Sequence, residues 1–497
     1  MMGPGETDLH EGALCMCDTT GARKYGNVLV LGLGKTGEAV AIYLSGLVQS
    51  GRVSSVTVYG GLKSEPDPTT RLLEEAGVRV VCGTERVEGS YDTCISSPGI
   101  SEFSDFYKSA EAASTETFGE PELAWRESPE RWVGITGTNG KTTTTTLITH
   151  ILECAGERVA AVGNIGNTCI QAVAKGAAHT YVVETSSFQL ASMGLFAPDV
   201  AVLLNITPDH LYWHMTFDAY VEAKKRIYAR LADTRGTLVI DGVCDVTRAC
   251  IKEFKDDPER GFDYVALGSA AGLHASMKDS CGADNAAFLD GDILRVDFGE
   301  RRIDLVRTGE LHIKGEHNAS NALAAAAAAL ACGVAPDAVR EGLRTFEPLE
   351  HRLEPCGSIG GVSFVNDSKA TNVDATLKAL SAFRPGTAVF LLGGHDKGTD
   401  LSELVAEASA VCKAVVCFGA AGPRFYEAFE DASSPVRREL VEHMEDALDA
   451  AIAIAEPGDE VVLSPACSSF DEFESFEHRG KVFKLLVAFR AEQARKA

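Results

Sequence analysis

Residues 131–152 run Arg131-Trp-Val-Gly-Ile-Thr136, Gly137-Thr138-Asn139-Gly140-Lys141-Thr142, then Thr143-Thr-Thr-Thr-Leu-Ile-Thr-His-Ile-Leu152. Trp132 to Thr136 has the composition of a short buried strand, the next six residues form a glycine loop, and Thr143 opens a helix. That order is the order of a phosphate cradle. Backbone N–H groups and the helix N-terminus face the anion, a lysine reaches the outer phosphates, and the hydroxyl after it ligates Mg²⁺. The eight-residue form of the loop starts on a glycine where Ile135 stands here, so this is a variant with Gly137 inside it. A tight turn that needs positive φ also explains glycines. It does not explain Lys141-Thr142, or the threonines that follow, which are poor helix formers.

The stretches on either side repeat the alternation of strand and helix. Asn27 to Leu31 is a strand followed by Gly32-Leu33-Gly34-Lys35-Thr36-Gly37 and a helix from Glu38 to about Val48. This glycine pattern suits a dinucleotide, but such a site also wants an acidic residue at the end of the second strand to hold the ribose. That strand, Val53 to Tyr59, ends in Tyr59-Gly60-Gly61, so the loop reads as a cradle for another diphosphate. Further strands at Val78 to Cys82 and Thr93 to Ser96, the latter closing on Ser97-Pro98-Gly99, indicate a parallel sheet. The charged, breaker-rich segment from Glu111 to Pro129 reads as the edge of a first domain, near residue 119.

Beyond the phosphate loop, Val159 to Val162 ends in Gly163-Asn164-Ile165-Gly166, and Thr180 to Val183 carries Glu184 at its carboxyl end, where open α/β sheets bind ligands. Val200 to Asn205 precedes Asp209-His210. In the next helix Phe217, Tyr220, Val221, Ile227, Tyr228 and Leu231 form one apolar face. Lys224 falls on that face. It either snorkels to the surface, or is a buried amine of depressed pKa that CO₂ can carbamylate into an anionic neighbour for a metal. Residues 261–308 read as a small sheet inserted in this domain, and Asn318 to Cys332 as an alanine-rich helix with Asn318 and Asn321 in its first turn, where capping also explains them. After Leu349-Glu350-His351-Arg352, strands at Val362 to Asn366, Ala388 to Leu392, Ala414 to Phe418 and Glu460 to Leu463 make a third parallel sheet. Polar clusters at three of its strand ends suggest one ligand face: Asn366 to Lys369, Gly393 to Lys397 and Ser464 to Ser469.

The expectation is therefore an α/β protein of three domains, each on a mainly parallel sheet. A Rossmann-like N-terminal domain spans residues 1–119, a central P-loop ATPase domain with a small inserted sheet spans 120–348, and a Rossmann-like C-terminal domain spans 349–497. Residues 1–24 read as a disordered tail without a signal-peptide pattern. The net charge of −25, from 46 basic and 71 acidic side chains, argues against nucleic-acid or anionic-membrane partners. The 14 cysteines contain no Cys-x-x-Cys, which fits reduced thiols of a cytoplasmic protein better than disulfides or zinc. The longest apolar run, Ala322 to Cys332, falls short of the ~20 residues of a membrane span.

At this point the residues resemble a known family, the Mur ligases, ATP-dependent amide-forming enzymes of bacterial peptidoglycan synthesis. Gly134 to Thr142, Asp209-His210, Gly315-Glu-His-Asn318 and His351-Arg352 match the whole family. Glu184 to Leu190, Asn366 to Asn372, and Ser464 to Ser469 with Phe476 and His478-Arg479-Gly480 resemble the branch that adds D-glutamate. Thr185 stands where leucine is expected, Tyr212-Trp213 where Asp-Arg is common, and the second strand lacks the Asp-Thr-Arg ending associated with uracil.

The resemblance implies a monomer acting on UDP-N-acetylmuramoyl-L-alanine, D-glutamate and ATP with Mg²⁺, by way of an acyl phosphate. It implies Lys141, His210 and Lys224 as catalytic residues, and Thr142, Glu184, His210 and carbamylated Lys224 around Mg²⁺. ATP would be met by Gly137, Thr138, Asn139, Gly140, Lys141, Thr142, Thr143, Asn318, Asn321, Arg352 and Asp367. The UDP-sugar would be met by Gly34, Lys35, Thr36, Gly37, Gly99 and Asn164, and D-glutamate by Thr371, Lys397, Ser469 and Phe476. A sister ligase adding another amino acid and a folylpolyglutamate synthase are the neighbouring alternatives; no Asp-Asn-Pro-Arg, the mark of the diaminopimelate-adding member, occurs in the chain.

Overall fold

The computed structural model describes residues 23–128, 130–281, 283, 285–396, 398–432 and 434–496. Most of the expected tail, and Lys397, lie outside the described residues. Two compact units are present, one made of the chain up to Arg307 with Asn321–Leu343, the other of Thr308–Ser320 and the chain from Arg344 onward. Among the described residues no helix is long and apolar enough to cross a membrane.

The first unit holds two sheets. The first sheet is all parallel, in the order β3-β2-β1-β4-β5, from β1 (Gly26–Leu31), β2 (Val53–Tyr59), β3 (Arg79–Val81), β4 (Tyr91–Ser96) and β5 (Ser114–Gly119). Its central strand is a Val/Leu run with Val28 to Leu31 all buried, as expected of a strand covered on both faces. The strand order reverses between β1 and β4, so the crevice at their carboxyl ends faces the Gly32–Gly37 turn and Ser97–Gly99.

The second sheet has nine strands: β6 (Arg131–Thr136), β7 (Val159–Gly163), β8 (Thr180–Glu184), β9 (Val200–Leu203), β10 (Thr237–Asp241), β11 (Asp263–Leu267), β12 (Asn285–Asp290), β13 (Ile293–Phe298) and β14 (Arg301–Arg307). Their order is β14-β13-β12-β11-β10-β9-β6-β8-β7, parallel up to β12 and antiparallel for the β12-β13-β14 meander. The strands expected as an inserted sheet thus extend the main one, because β11 pairs with β10 along its whole length and passes the ladder on to β12. The strand β6 lies between β8 and β9, which makes its loop the switch point of this sheet.

The segment expected as a charge-rich boundary is ordered structure. It contains β5 and the helix Glu120–Glu127, and the carboxylates of that helix are buried and bonded. Glu120 accepts from the N–H of Ile170 at 2.7 Å, and Glu122 from the N–H groups of Gly194 and Leu195 at 2.6 and 3.0 Å. Glu127 accepts from Tyr25, Tyr43 and both arms of Arg52. The charges that read in sequence as the edge of a domain fasten the helix to both sheets of the unit.

The second unit carries the third sheet: β15 (Glu354–Ile359), β16 (Val362–Asn366), β17 (Ala388–Gly393), β18 (Cys412–Phe418), β19 (Arg437–Leu440) and β20 (Glu460–Ala466). The order is β15-β16-β20-β17-β18-β19, parallel except at the β15 edge. The helix Phe476–Lys496 lies against it, burying Arg479, Gly480, Phe483 and Val487.

Candidate active site

The glycine loop after β6 is built as its residues dictate. The helix begins at Lys141 with Gly140 as its cap, in the left-handed region at φ +83°, and a Cβ there would lie 2.3 Å from the side-chain oxygen of Asn321. No side chain caps this helix, so its first-turn N–H groups face the loop with their positive end. The loop is braced against the segment after β9. The N–H of Thr138 donates to Asn205 O at 2.7 Å, the N–H of Asn139 to Asn205 Oδ1 at 3.1 Å, and Thr138 Oγ1 to Thr207 O at 3.1 Å. Thr142 and Thr143 lie in the first helical turn, and Thr144 donates to Asn321 Oδ1 at 3.4 Å.

Two lysines meet on this loop. Lys141 Nζ donates to Gly137 O at 2.9 Å and Thr138 O at 2.8 Å. Lys224 Nζ donates to the same Gly137 oxygen at 2.7 Å, over the ring of Tyr220 at 4.7 Å. Lys224 is buried, so of its two readings snorkelling is overturned: the helix that carries it ends at Lys225, passes into a 3-10 turn, and its apolar face is pressed inward. Burial, reinforced by the Lys141 charge and opposed by Asp209 and Glu184, holds its pKa well below the ordinary lysine value.

Around them sit the other expected residues. Glu184, at the end of β8, is buried; Oε1 accepts from Asn164 Nδ2 at 2.9 Å, while Oε2 has no hydrogen-bond partner. His210 has a left-handed backbone, φ +54°, with its N–H bonded to Asp209 Oδ1 at 2.8 Å and its ring edge-on to Phe188. His214, absent from the sequence reading, is fully buried against Ser187 Oγ at 2.9 Å, and burial, with His210 and Lys224 nearby, pushes its pKa down to about 4. Among the described residues no group of three His, Cys, Asp or Glu side chains could hold a metal ion by itself. Mg²⁺ does not ask for one, since it takes one or two carboxylates together with substrate phosphates and water. The orphaned Oε2 of Glu184, a hard oxygen beside a phosphate loop, fits that ion.

At the first sheet, Gly34 caps the helix Lys35–Gly46 without a side-chain bond, and Lys35 Nζ reaches Gly166 O at 3.1 Å, in the turn that holds Asn164. Thr36 and Gly37 lie in the first turn of that helix, and Gly99 is exposed after β4. The first unit therefore brings this anion cradle and the phosphate loop onto the carboxyl ends of adjoining sheets.

In the second unit, Asn318 Nδ2 donates to Lys314 O at 2.8 Å. Asp367 is buried after β16, where it accepts from Ser464 Oγ at 2.7 Å and the N–H of Leu353 at 3.2 Å; burial pushes its pKa up to about 7, with Arg352 among the groups opposing the rise. His351 takes φ +65°, and Asn366 Nδ2 lies 2.9 Å from its Nδ1. Phe476 presents its ring to Lys369 Nζ at 4.0 Å, and its carbonyl accepts from Ser368 Oγ at 2.9 Å. Ser469 is buried and Thr371 half-buried. Asn205 braces the glycine loop, Tyr220 lies under Lys224, and Arg479 is bonded to the loop after β16; the sequence places Tyr220 in the core and Arg479 in a motif without a role.

A phosphate loop at a switch point, between a buried carboxylate and a buried lysine, defines a nucleotide-binding α/β protein. Residues 135–329 match the Mur ligase middle domain and residues 351–467 the glutamate ligase domain of Mur ligases. The chain belongs to the Mur ligase family. It is 36 % identical over 475 residues, 94 % of this chain and 98 % of the relative, to UDP-N-acetylmuramoylalanine–D-glutamate ligase of Koribacter versatilis. It is 38 % identical over 461 residues, 92 % of this chain and 95 % of the relative, to the protein of the same name in Shouchella clausii. Among solved structures it shares its fold with the UDP-N-acetylmuramate–alanine ligase of Thermotoga maritima, at a TM-score of 0.54 and 16 % identity over 94 % of this chain and 99 % of that one.

Proposed function

We propose that this protein is an ATP-dependent amide ligase that joins D-glutamate to UDP-N-acetylmuramoyl-L-alanine in peptidoglycan precursor synthesis. The observation that carries the reading is its identity of 34 to 38 % over more than nine-tenths of the chain to relatives of that name. The reaction has two steps. A carboxylate oxygen of the UDP-linked substrate attacks the γ-phosphorus of ATP, giving an acyl phosphate and ADP. The amine of D-glutamate then attacks the acyl carbon; a C–N bond forms, the C–O bond to phosphate breaks, and the amine gives up a proton.

The site residues follow that chemistry. Bringing a carboxylate onto a polyphosphate sets anion against anion, so the cations and helix N-terminus around Gly137–Lys141 supply the screening. Lys141 leaves the loop carbonyls for the outer phosphates when nucleotide binds. Mg²⁺, when bound, neutralises the phosphates, and Thr142, Glu184 and His210 are the residues that would hold it. Lys224, a buried amine of lowered pKa, is suited to attack CO₂; the carbamate so formed places a negative charge beside His210. Asn318, Asn321, Arg352 and Asp367 serve the nucleoside side of ATP. Gly34, Lys35, Thr36, Gly37, Gly99 and Asn164 serve the UDP-sugar. Thr371, Lys397, Ser469 and Phe476 serve D-glutamate. The reading includes three domains, at residues 1–119, 120–348 and 349–497, and a cytoplasmic monomer, in keeping with ATP as substrate and with free cysteines throughout the described residues.

The test is phosphate release with ATP, Mg²⁺ and UDP-N-acetylmuramoyl-L-alanine, comparing D-glutamate with L-glutamate, L-alanine, L-lysine and meso-diaminopimelate. Release driven by D-glutamate alone is expected. Release driven by another amino acid would move the protein to a sister activity.

A further inference from the structure

The most buried cation of the second unit is not among the residues assigned above. Arg479 is fully buried in the first turns of the helix Phe476–Lys496. Its Nε donates to Ser368 Oγ at 3.0 Å, Nη1 to Ser468 O at 3.2 Å, and Nη2 to Ser368 O at 2.9 Å and Cys467 O at 3.0 Å. Among the described residues no carboxylate forms an ion pair with it; Asp471, Asp367 and Glu472 act on it only from a distance, and burial pushes its pKa down to about 10. A guanidinium out of water is costly unless a carboxylate answers it. Here three carbonyls and one hydroxyl do so, which leaves a net positive charge.

Those partners lie on the carboxyl-end loops of two neighbouring strands. Ser368 follows β16, while Cys467 and Ser468 follow β20. The loop after β17 is drawn in as well, since the N–H of His395 donates to Ser468 O at 2.8 Å. The positive φ of Gly394, +125°, belongs to the same junction: a Cβ there would lie 2.4 Å from Ser468 O and 3.0 Å from Arg479 Nη1. Ser368 Oγ receives from Arg479 and donates to the carbonyl of Phe476, so the guanidinium fixes the position of Phe476 through one hydroxyl. Ser469, Thr371 and Phe476 all sit on chain that this arginine ties down.

We infer that Arg479 is a positioning residue for the amino-acid substrate: it locks together the loops after β16 and β20 and sets an unbalanced positive charge under the face that takes a dicarboxylate. The inference rests on the ligase reading above. A planar fork is needed to hold these two loops at once, and a lysine would keep the charge but lose the fork. A substrate with two carboxylates brings more negative charge than its amine offsets, so the unpaired cation favours it over neutral amino acids.

Steady-state phosphate release and ADP–ATP isotope exchange without amino acid, in wild type, Arg479→Lys and Ser368→Ala, test this. In Arg479→Lys the KM for D-glutamate is expected to rise by about tenfold or more, with the KM for ATP and the exchange rate within about twofold of wild type. In Ser368→Ala, which keeps the arginine and removes only the hydroxyl link, a rise of about threefold is expected, again confined to D-glutamate. An unchanged KM for D-glutamate in both variants overturns the inference, as does a parallel loss in all substrates and in the exchange rate, which would mark a role in folding alone. Should Arg479→Lys fail to fold, the Ser368→Ala result decides. Wild type that releases no phosphate with D-glutamate would overturn the ligase reading itself, and this inference with it.

Discussion

Lys224 donates to the carbonyl oxygen of Gly137 across 2.7 Å, and Lys141 donates to that same oxygen at 2.9 Å. Burial, with the Lys141 charge beside it, lowers the pKa of Lys224 and so favours the neutral form of its amine. In that form the amine is a nucleophile placed beside the glycine loop. With isotopically labelled carbon dioxide, a carbamate carbon resonance is therefore expected from wild type and not from Lys224→Arg, whose turnover should fall by about 10²- to 10³-fold. A wild-type spectrum without that resonance, in protein fully active in CO₂-free buffer, would remove the carbamate from the reading.

Glu184 separates binding from stability. One of its oxygens is bonded to Asn164 and the other is buried without a partner. Leaving such an acceptor unmet costs about 1–3 kcal/mol in the empty protein. Glu184→Gln, whose amide can donate as well as accept, should unfold at a higher temperature than wild type without Mg²⁺ and nucleotide, yet need about tenfold or more Mg²⁺ for half-maximal turnover. Equal Mg²⁺ dependence in the two proteins would take Glu184 out of the metal site.

Much of this arrangement is legible from residue order. The phosphate loop stands out because glycine, lysine and threonine follow an apolar strand, and Glu184 because it ends another. What stays hidden are polar groups put to structural use. Glu120, Glu122 and Glu127 sit in a segment whose charges and prolines read as a domain boundary, and only the fold shows them answering backbone N–H groups, tyrosines and Arg52. Arg479 is hidden for the same reason, since the sequence places it in a motif without a role and only the fold shows the loops after β16 and β20 converging on it. Lys224 is open to two readings in sequence because spacing places a side chain on a face without saying whether that face is covered.

Gly140 is a loop position at which a side chain is opposed both by backbone conformation and by space. Gly140→Ala meets both the left-handed strain and a Cβ 2.3 Å from Asn321 Oδ1. The cost should be about 1–3 kcal/mol of stability, with nucleotide affinity weakened by about tenfold or more as the cradle opens. Gly156→Ala, at a similar φ of +81° but with open space around the new Cβ, supplies the control. It should carry a backbone cost of about 1–2 kcal/mol and leave affinity unchanged. Titration of a fluorescent ATP analogue reads the difference, and equal affinities in the two variants would contradict the role given to Gly140.

The linking helix gives the protein a pH-dependent stability. Burial pushes the Glu120 carboxyl up from 4.5 to about 7, against the opposing N–H groups of Ile170 and Cys169. A raised folded pKa means that the native state binds the extra proton between those values. The stabilisation is thus full below pH 4.5 and is lost as pH rises through about 7. Its full extent is on the order of 3 kcal/mol. Glu120→Gln keeps an acceptor for Ile170 and removes the proton, so relative to wild type it should gain stability between about pH 5 and pH 8. Urea unfolding of both proteins across that range measures the gap, which should widen with pH; parallel curves would mean that Glu120 stays charged in its buried site.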